Sequence, residues 1–253
     1  RFTPAWSVIG GVDYVRSRNS LEVYKDTDYD LKSGEGGVRY APGTGIEVDL
    51  VYRATSGEYK SAQRYGDDGS ALLCNNNCRK NDYDEDSLQA RVQYRPSEDS
   101  SLGGFVGYTR RDYDQGNRHF RGLTAGFDTE WAVSGAVQMR ASLGRSIEPD
   151  DEAVTGSYAD TWSLNFSPTI QATGKITVEP YLRYYDRRYK GDQLAAGQVE
   201  RKDKIYMVGA EADYEFRRNM FLMASISREQ RDSNRANLDY KANVFGLGLK
   251  VQF

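Results

Sequence analysis

Long hydrophobic runs are absent from this 253-residue chain. None approaches the roughly 18 to 20 apolar residues that a membrane-spanning helix needs. Hydrophobic content is 38% and mean hydropathy is -0.74. Helical spans are thereby excluded, although a β-barrel with a wet lumen gives the same values, because half of each strand faces water. Histidine is nearly absent as well: His119, in Asn-Arg-His-Phe-Arg, is the one copy. No Gly-x-Ser-x-Gly motif lies near it, so a surface or girdle role is expected rather than a catalytic one. There is no Gly-rich phosphate loop at a strand–helix junction and no nucleic-acid motif. The chain is therefore read as a non-enzyme with no cofactor, no metal and no nucleic-acid partner. Helical heptads, Pro-rich linkers and low-complexity tracts are also missing, so residues 1–253 are read as a single domain. No secretory signal is visible at Arg1, which fits a trimmed form or the barrel part of a longer protein.

Cysteine is limited to Cys74 and Cys78, in Leu-Leu-Cys-Asn-Asn-Asn-Cys-Arg-Lys. A loop disulfide in an oxidising, exported location is the first reading. A metal site is the second, weakened by the distance to the single histidine. The net charge of -3 selects no partner.

What the chain does contain is tyrosine, 19 copies, glycine, 25 copies, and a persistent period of two. Phe245, Leu247, Leu249, Val251 and Phe253 alternate with Gly246, Gly248, Lys250 and Gln252. That is a strand with one apolar face. An uncapped apolar strand at a chain end would be an exposed edge in a soluble protein. In a closed barrel it can pair with the first strand. The clearest internal example sets Leu88, Ala90, Val92 and Tyr94 against Gln89, Arg91, Gln93 and Arg95.

Twelve such segments can be read. The first runs near Ala5 to Ser17, the third from Ile46 to about Glu58, and the eighth ends at Ser167-Pro168. The eleventh is ambiguous, because Phe221 and Met223 alternate with Leu222, Ala224 and Ile226. Connections after the even segments are tight, at 41–45, 96–100, 132–134, 168–173 and 217–219. Most of the others are longer and richer in Asp, Asn, Glu and Gly. Outer-membrane barrels have short periplasmic turns and long outer loops, and an even strand count. The fold expected is an all-β, antiparallel up-and-down transmembrane barrel of about twelve strands. Both termini are expected at the periplasmic side of a Gram-negative outer membrane, with outer-membrane lipids and lipopolysaccharide as neighbours. Trp6, Tyr40, Tyr94, Trp131, Tyr214 and Phe253 cluster near the inferred periplasmic ends, where an aromatic girdle belongs.

The opposite face should line the lumen. Near the periplasmic ends it carries an acidic band of Glu47, Asp49, Asp128, Glu130, Glu179, Asp213 and Glu215. Arg39 and Arg95 lie low, among these acids. Higher up, the reading places Arg53, Arg91, Arg111, Arg140, Arg183 and Arg187, with Tyr181 and Tyr185 beside the last two. Rings of charge set ion selectivity in pores. Equally, such charges can pair across neighbouring strands and hold the wall together. Arginine suits carboxylates through its planar fork, and mixed with aromatics it suits acidic sugars. The outer loops are rich in acids such as Asp67, Asp68, Asp150 and Asp151. Solvated loops are expected there, since no stretch matches a calcium loop.

Arg-Glu-Gln-Arg-Asp-Ser-Asn at 228–234, followed by Leu-Asp-Tyr-Lys-Ala-Asn-Val-Phe-Gly-Leu-Gly-Leu-Lys-Val-Gln-Phe at 238–253, resembles the last hairpin of the putative β-barrel porin family, type 2. Members include EpsL-like outer-membrane proteins of exopolysaccharide biosynthesis. The resemblance implies an outer-membrane channel that exports acidic polysaccharide, with periplasmic secretion components as partners, and it transfers no catalytic residues. The runner-up of the same class is an uptake porin for acidic oligosaccharides. A non-conducting scaffold or an outer-membrane enzyme represents the other classes.

The loop pattern puts Cys74 and Cys78 outside the cell. A membrane-impermeant thiol label should modify them on intact cells after reduction. Labelling that needs a broken outer membrane would reverse the orientation.

Overall fold

Alternation of side chains along the backbone is resolved as twelve strands: β1 (Trp6–Ser17), β2 (Tyr29–Tyr40), β3 (Ile46–Tyr59), β4 (Tyr83–Ser97), β5 (Ser100–Tyr113), β6 (His119–Ser134), β7 (Val137–Pro149), β8 (Tyr158–Thr173), β9 (Ile176–Lys190), β10 (Lys202–Arg217), β11 (Met220–Ser233) and β12 (Tyr240–Val251). The computed structural model describes residues 5–61, 82–114, 119–149, 158–190, 199–235 and 237–251. Each strand pairs with its sequence neighbours in one sheet of order β1 to β12, antiparallel at every ladder. A single 3-10 turn, Glu22–Thr27, sits in the β1–β2 connection. No helix among the described residues is long and apolar enough to cross a membrane.

The registers put the apolar residues of adjacent strands on one face. Leu50 lies beside Ala90, which lies beside Val106, which lies beside Ala125. Leu50, Val106, Leu123, Phe127 and Leu164 are exposed, as expected of a face that meets lipid. β11 is no longer ambiguous. Leu222, Ala224 and Ile226 pair with Leu249, Leu247 and Phe245 and so face outward, while Phe221 and Met223 face inward.

Trp6, Tyr40, Tyr94, Trp131 and Tyr214 stand on the outward face at the short-turn end, with the Trp6 and Tyr40 rings 4.9 Å apart; Phe253 lies outside the described residues. A second band, at the other end of the apolar zone, consists of Tyr14, Tyr52, Tyr108, Trp162, Tyr184 and Tyr206. On β10, Tyr206 and Tyr214 are eight residues apart. At about 3.4 Å per residue and a tilt of about 40°, that is about 20 Å of height, close to the roughly 25 Å apolar band of such barrels. Beyond the upper band the outward face turns polar, as in the Arg145–Asp160 fork at 2.9 and 2.8 Å. Strands of 12 to 16 residues therefore project past the outer surface.

Two expectations are corrected. First, the eighth strand does not stop at Pro168; it runs to Thr173. The β8–β9 ladder skips from Phe166–Leu182 to Ile170–Val178 without a register shift, so Pro168 falls opposite Pro180. Proline lacks an N–H and normally breaks a ladder. Here the two missing donors face each other, and the strand continues. Second, β12 does not pair with β1: among the described residues no ladder joins them, and the sheet has two edges. Val12 near one edge and Leu247 near the other are 88% and 84% exposed. Among the described residues the sheet is the wall of a barrel with β1 and β12 as its two edge strands.

Glycine on the inward face lets neighbouring rings lie flat against the wall. A β-carbon on Gly57 would come within 2.5 Å of the Tyr83 ring, its partner across the ladder. One on Gly209 would meet Tyr181 at 2.6 Å.

Arginine at a lipid-facing midplane position of a barrel costs roughly 2 to 4 kcal/mol. Val106→Arg should therefore lower the yield of folded, heat-modifiable protein well below that of Arg91→Ala. Equal folding of the two variants would mean that Val106 does not face lipid.

Candidate channel lining

All six arginines read from the sequence lie on the inward face, but they do not form one ring above the acids. Arg91 stands directly across the ladder from Asp49, and Arg140 across from Glu130. Both are thus level with the acidic band, because neighbouring strands run in opposite directions and counts from their starts do not compare. Five of the six have acidic partners: Arg53 with Asp13 and Glu35, Arg91 with Glu35, Arg111 with Glu85, Arg140 with Glu130, and Arg187 with Glu148. On the β2–β4 side the acidic band is matched by the low arginines. Arg39 grips Asp49 through two bonds of 2.8 Å and reaches Glu47 at 3.1 Å, and Arg95 reaches Glu47 at 3.2 Å. Cross-strand pairing therefore accounts for much of the charge on this half of the lining.

The β9–β10 side is different. Going up β9, the inward residues are Glu179, Tyr181, Arg183, Tyr185, Arg187 and Tyr189. Arg183 sits over Tyr181 at 4.6 Å and Arg187 over Tyr185 at 5.4 Å. Arg201, beside the start of β10, covers Tyr189 at 4.2 Å. Among the described residues Arg183 has no acid within ion-pair distance. Below this ladder, Glu179 lies directly opposite Glu211, a residue the sequence reading did not single out. Glu179 accepts a bond from Thr169 at 3.2 Å. Two carboxylates face to face make this inner patch acidic, at a cost to the ladder. Asp213 and Glu215 extend it along β10.

At the outer end, inward-facing aromatics form a collar that sequence reading missed. Tyr29–Tyr59 and Tyr83–Tyr113 are cross-strand pairs with ring centroids 5.7 Å apart. Tyr158 stacks on Tyr113 at 6.2 Å and meets Phe120 edge-on at 5.7 Å. By parity Tyr158 belongs to the outward face. It reaches inward because the β6–β7 ladder stops at Ala125–Arg145 and the strand ends beyond it are unpaired. The signal was present in the sequence as aromatics at the loop-side ends of segments, to which the sequence reading assigned no role. Arg111 is 4% exposed within this collar. It binds Glu85 at 2.6 Å, donates to the Ile147 carbonyl at 3.4 Å and lies over the Tyr83 ring at 4.3 Å. Burial works against its charge; Glu85, Tyr113 and Tyr83 outweigh burial and raise its pKa. Arg201 and Asp203 form a buried pair at 2.5 Å, with Ser233 donating to Asp203 at 2.7 Å.

Asp30 stands two positions beyond Lys32, the partner of Tyr14 in the upper aromatic band, and so lies outside the apolar zone. Lys60 at 2.6 Å, Arg18 at 2.5 Å and Arg16 at 3.2 Å surround its buried carboxylate. The hydrogen bond from Lys60 holds its pKa well below the usual range, against the opposing effect of burial. Cys74, Cys78, Asp67, Asp68, Asp150 and Asp151 lie outside the described residues. Among those described, no group of three His, Cys, Asp or Glu residues could hold a metal. His119 is exposed on the outward face at the start of β6.

An up-and-down wall of antiparallel strands, apolar and aromatic-banded outside and charged inside, defines an outer-membrane β-barrel protein. The chain belongs to the family described as Putative beta-barrel porin 2, whose model matches residues 101–253. No curated protein matches the chain. Among solved structures, the copper transporter OprC is similar at a TM-score of 0.59 and 11% identity, over 89% of this chain and 43% of that one. A ferric enterobactin receptor, PfeA, from Pseudomonas aeruginosa is similar at 0.50 and 9% identity, over 96% of this chain and 41% of that one. The chain thus spans about two fifths of the length of these structures, and the likeness is one of fold.

Asp30 binds its proton less readily folded than unfolded, where its pKa is about 3.9. Its stabilising contribution is complete above that value and fades as pH falls toward the lower, folded value. Melting followed between about pH 5 and pH 2 should show a steeper loss in the parent than in Asp30→Asn. Identical pH profiles would mean that the cation cluster does not stabilise the outer end.

Proposed function

We propose that the chain forms the wall of an outer-membrane channel that passes acidic polysaccharide. The alternation of tyrosine and arginine along the lumenal face of β9 carries this reading. A sugar chain has apolar C–H faces that suit tyrosine rings, whose faces are electron-rich. Its carboxylates suit guanidinium forks. Residues two apart on a strand lie about 6.8 Å apart, so a Tyr–Arg set recurs about every 13.6 Å and meets a chain at spaced units rather than at each one. Arg183, which has no acidic partner among the described residues, is the strongest candidate for solute contact. The paired arginines on β3 to β5 serve the wall first and the lumen second. Membrane lipids and lipopolysaccharide would surround the outward face, and periplasmic secretion components would meet the short turns.

The vertical arrangement of charge favours a second reading, uptake of acidic oligosaccharides. Arginines lie toward the outer mouth of β9 and acids toward the periplasmic end of β9 and β10. Such a gradient gathers anions from outside.

Planar-bilayer recording tests both readings. In a salt gradient, Arg183→Gln with Arg187→Gln should shift the reversal potential toward cations, and Glu179→Gln with Glu211→Gln toward anions. Both shifts should shrink as salt rises, since screening acts over about 8 Å at physiological strength. Block by an acidic oligosaccharide from the outer side alone would favour uptake, and block from the periplasmic side export. A protein that inserts but carries no current would be a scaffold.

A further inference from the structure

We propose that a pocket in the outer part of the lumenal wall, between β2 and β5, binds a carboxylated sugar unit. The proposal deepens the channel reading, because it supplies a specific resting place for the solute that reading implies. The cavity measures about 420 Å³, within the roughly 300 to 1,000 Å³ of small-molecule sites. It lies on a different part of the wall from the Tyr–Arg ladder of β9. Tyr29, Tyr59 and Tyr83 supply its apolar side; of these Tyr29 is the most accessible. Thr55, Ser87 and Gln89 supply neutral hydrogen-bonding groups, and Arg53, Arg111 and Glu85 the charges.

Arg111 points to the ligand. It is 96% buried by its 4% exposure, and Glu85 and the Ile147 carbonyl take up its Nε and Nη2. Its Nη1 is buried with no hydrogen-bond partner. A buried charged donor left unmatched is costly, more so than a neutral one. An acceptor entering the pocket would satisfy it, and a carboxylate is the strongest acceptor that a sugar can offer. Arg53 is already engaged by Asp13 and Glu35, so the preference for an anionic unit rests on the Nη1 of Arg111. The tyrosine rings then take the C–H face of the pyranose.

Cellobiouronic acid and its neutral counterpart cellobiose, titrated calorimetrically into the purified protein in detergent, test the proposal. The acid should bind at least about tenfold more tightly, the worth of one charge-assisted hydrogen bond. Arg111→Gln should abolish that preference. If Arg111→Gln fails to fold, Ser87→Leu, which fills the pocket beside the Arg111–Glu85 pair and leaves both charges in place, should weaken binding by a similar factor. Equal affinity for the two sugars, no binding of either, or full binding by the folded variant would overturn the site. Calorimetry does not depend on conduction. Binding by a protein silent in bilayers would keep the pocket and sink the channel, while current without binding would do the reverse.

Discussion

Every backbone N–H and C=O inside a bilayer must find a partner within the protein, because the hydrocarbon offers none and each orphan costs several kcal/mol. That constraint makes the chain an uninterrupted sheet in sequence order. It also explains why the linking segments at one end are so short. A two-residue connection such as Arg218-Asn219, with Asn219 at a φ of 61°, hands one strand directly to its neighbour. The same rule makes the edges of β1 and β12 consequential. Each presents a row of donors and acceptors that the described chain does not meet, and a membrane-embedded wall requires that they be met.

The outward face needs only apolarity and rings at two heights, and it therefore varies little in character from strand to strand. The inward face carries the individuality. On β2 to β5 opposite charges were brought into register and largely neutralise one another. On the inward face of β9 and β10 only the upper pair, Arg187 opposite Asp203, is so matched; below it Glu179 faces Glu211, and Arg183 stands between tyrosines. The two halves of the wall accordingly do different work. One holds its own shape through ion pairs, and the other offers charge to whatever passes.

Much of this was legible in the sequence, because a period of two maps directly onto the two faces of a strand. Val48, Leu50 and Tyr52 could be assigned to one face without any partner being known. Charge pairing was not legible in the same way. Whether Arg91 lies above the acids or opposite Asp49 depends on cross-strand register, which the pattern along one strand does not contain. The outer collar was missed for a related reason. Tyr59 and Tyr83 lie at opposite ends of a long connection and meet only because β3 and β4 pair. Tyr158 defied parity itself, since the ladder that enforces parity on β6 and β7 ends below it. Pro168 misled in the opposite direction: a breaker by its own chemistry, it was accommodated by a second proline across the seam.

That facing pair of prolines has a mechanical consequence. Along most of the wall adjacent strands are laced at every other residue, and shear between strands is resisted by bonds that share the load. Between Phe166 and Ile170 on one side and Val178 and Leu182 on the other, the lacing is interrupted. The gap borders Tyr181, the lowest ring of the Tyr–Arg ladder. Strain imposed by a bulky solute pressing on β9 would concentrate there, letting that strand yield outward against β8 while the rest of the cylinder wall stays stiff.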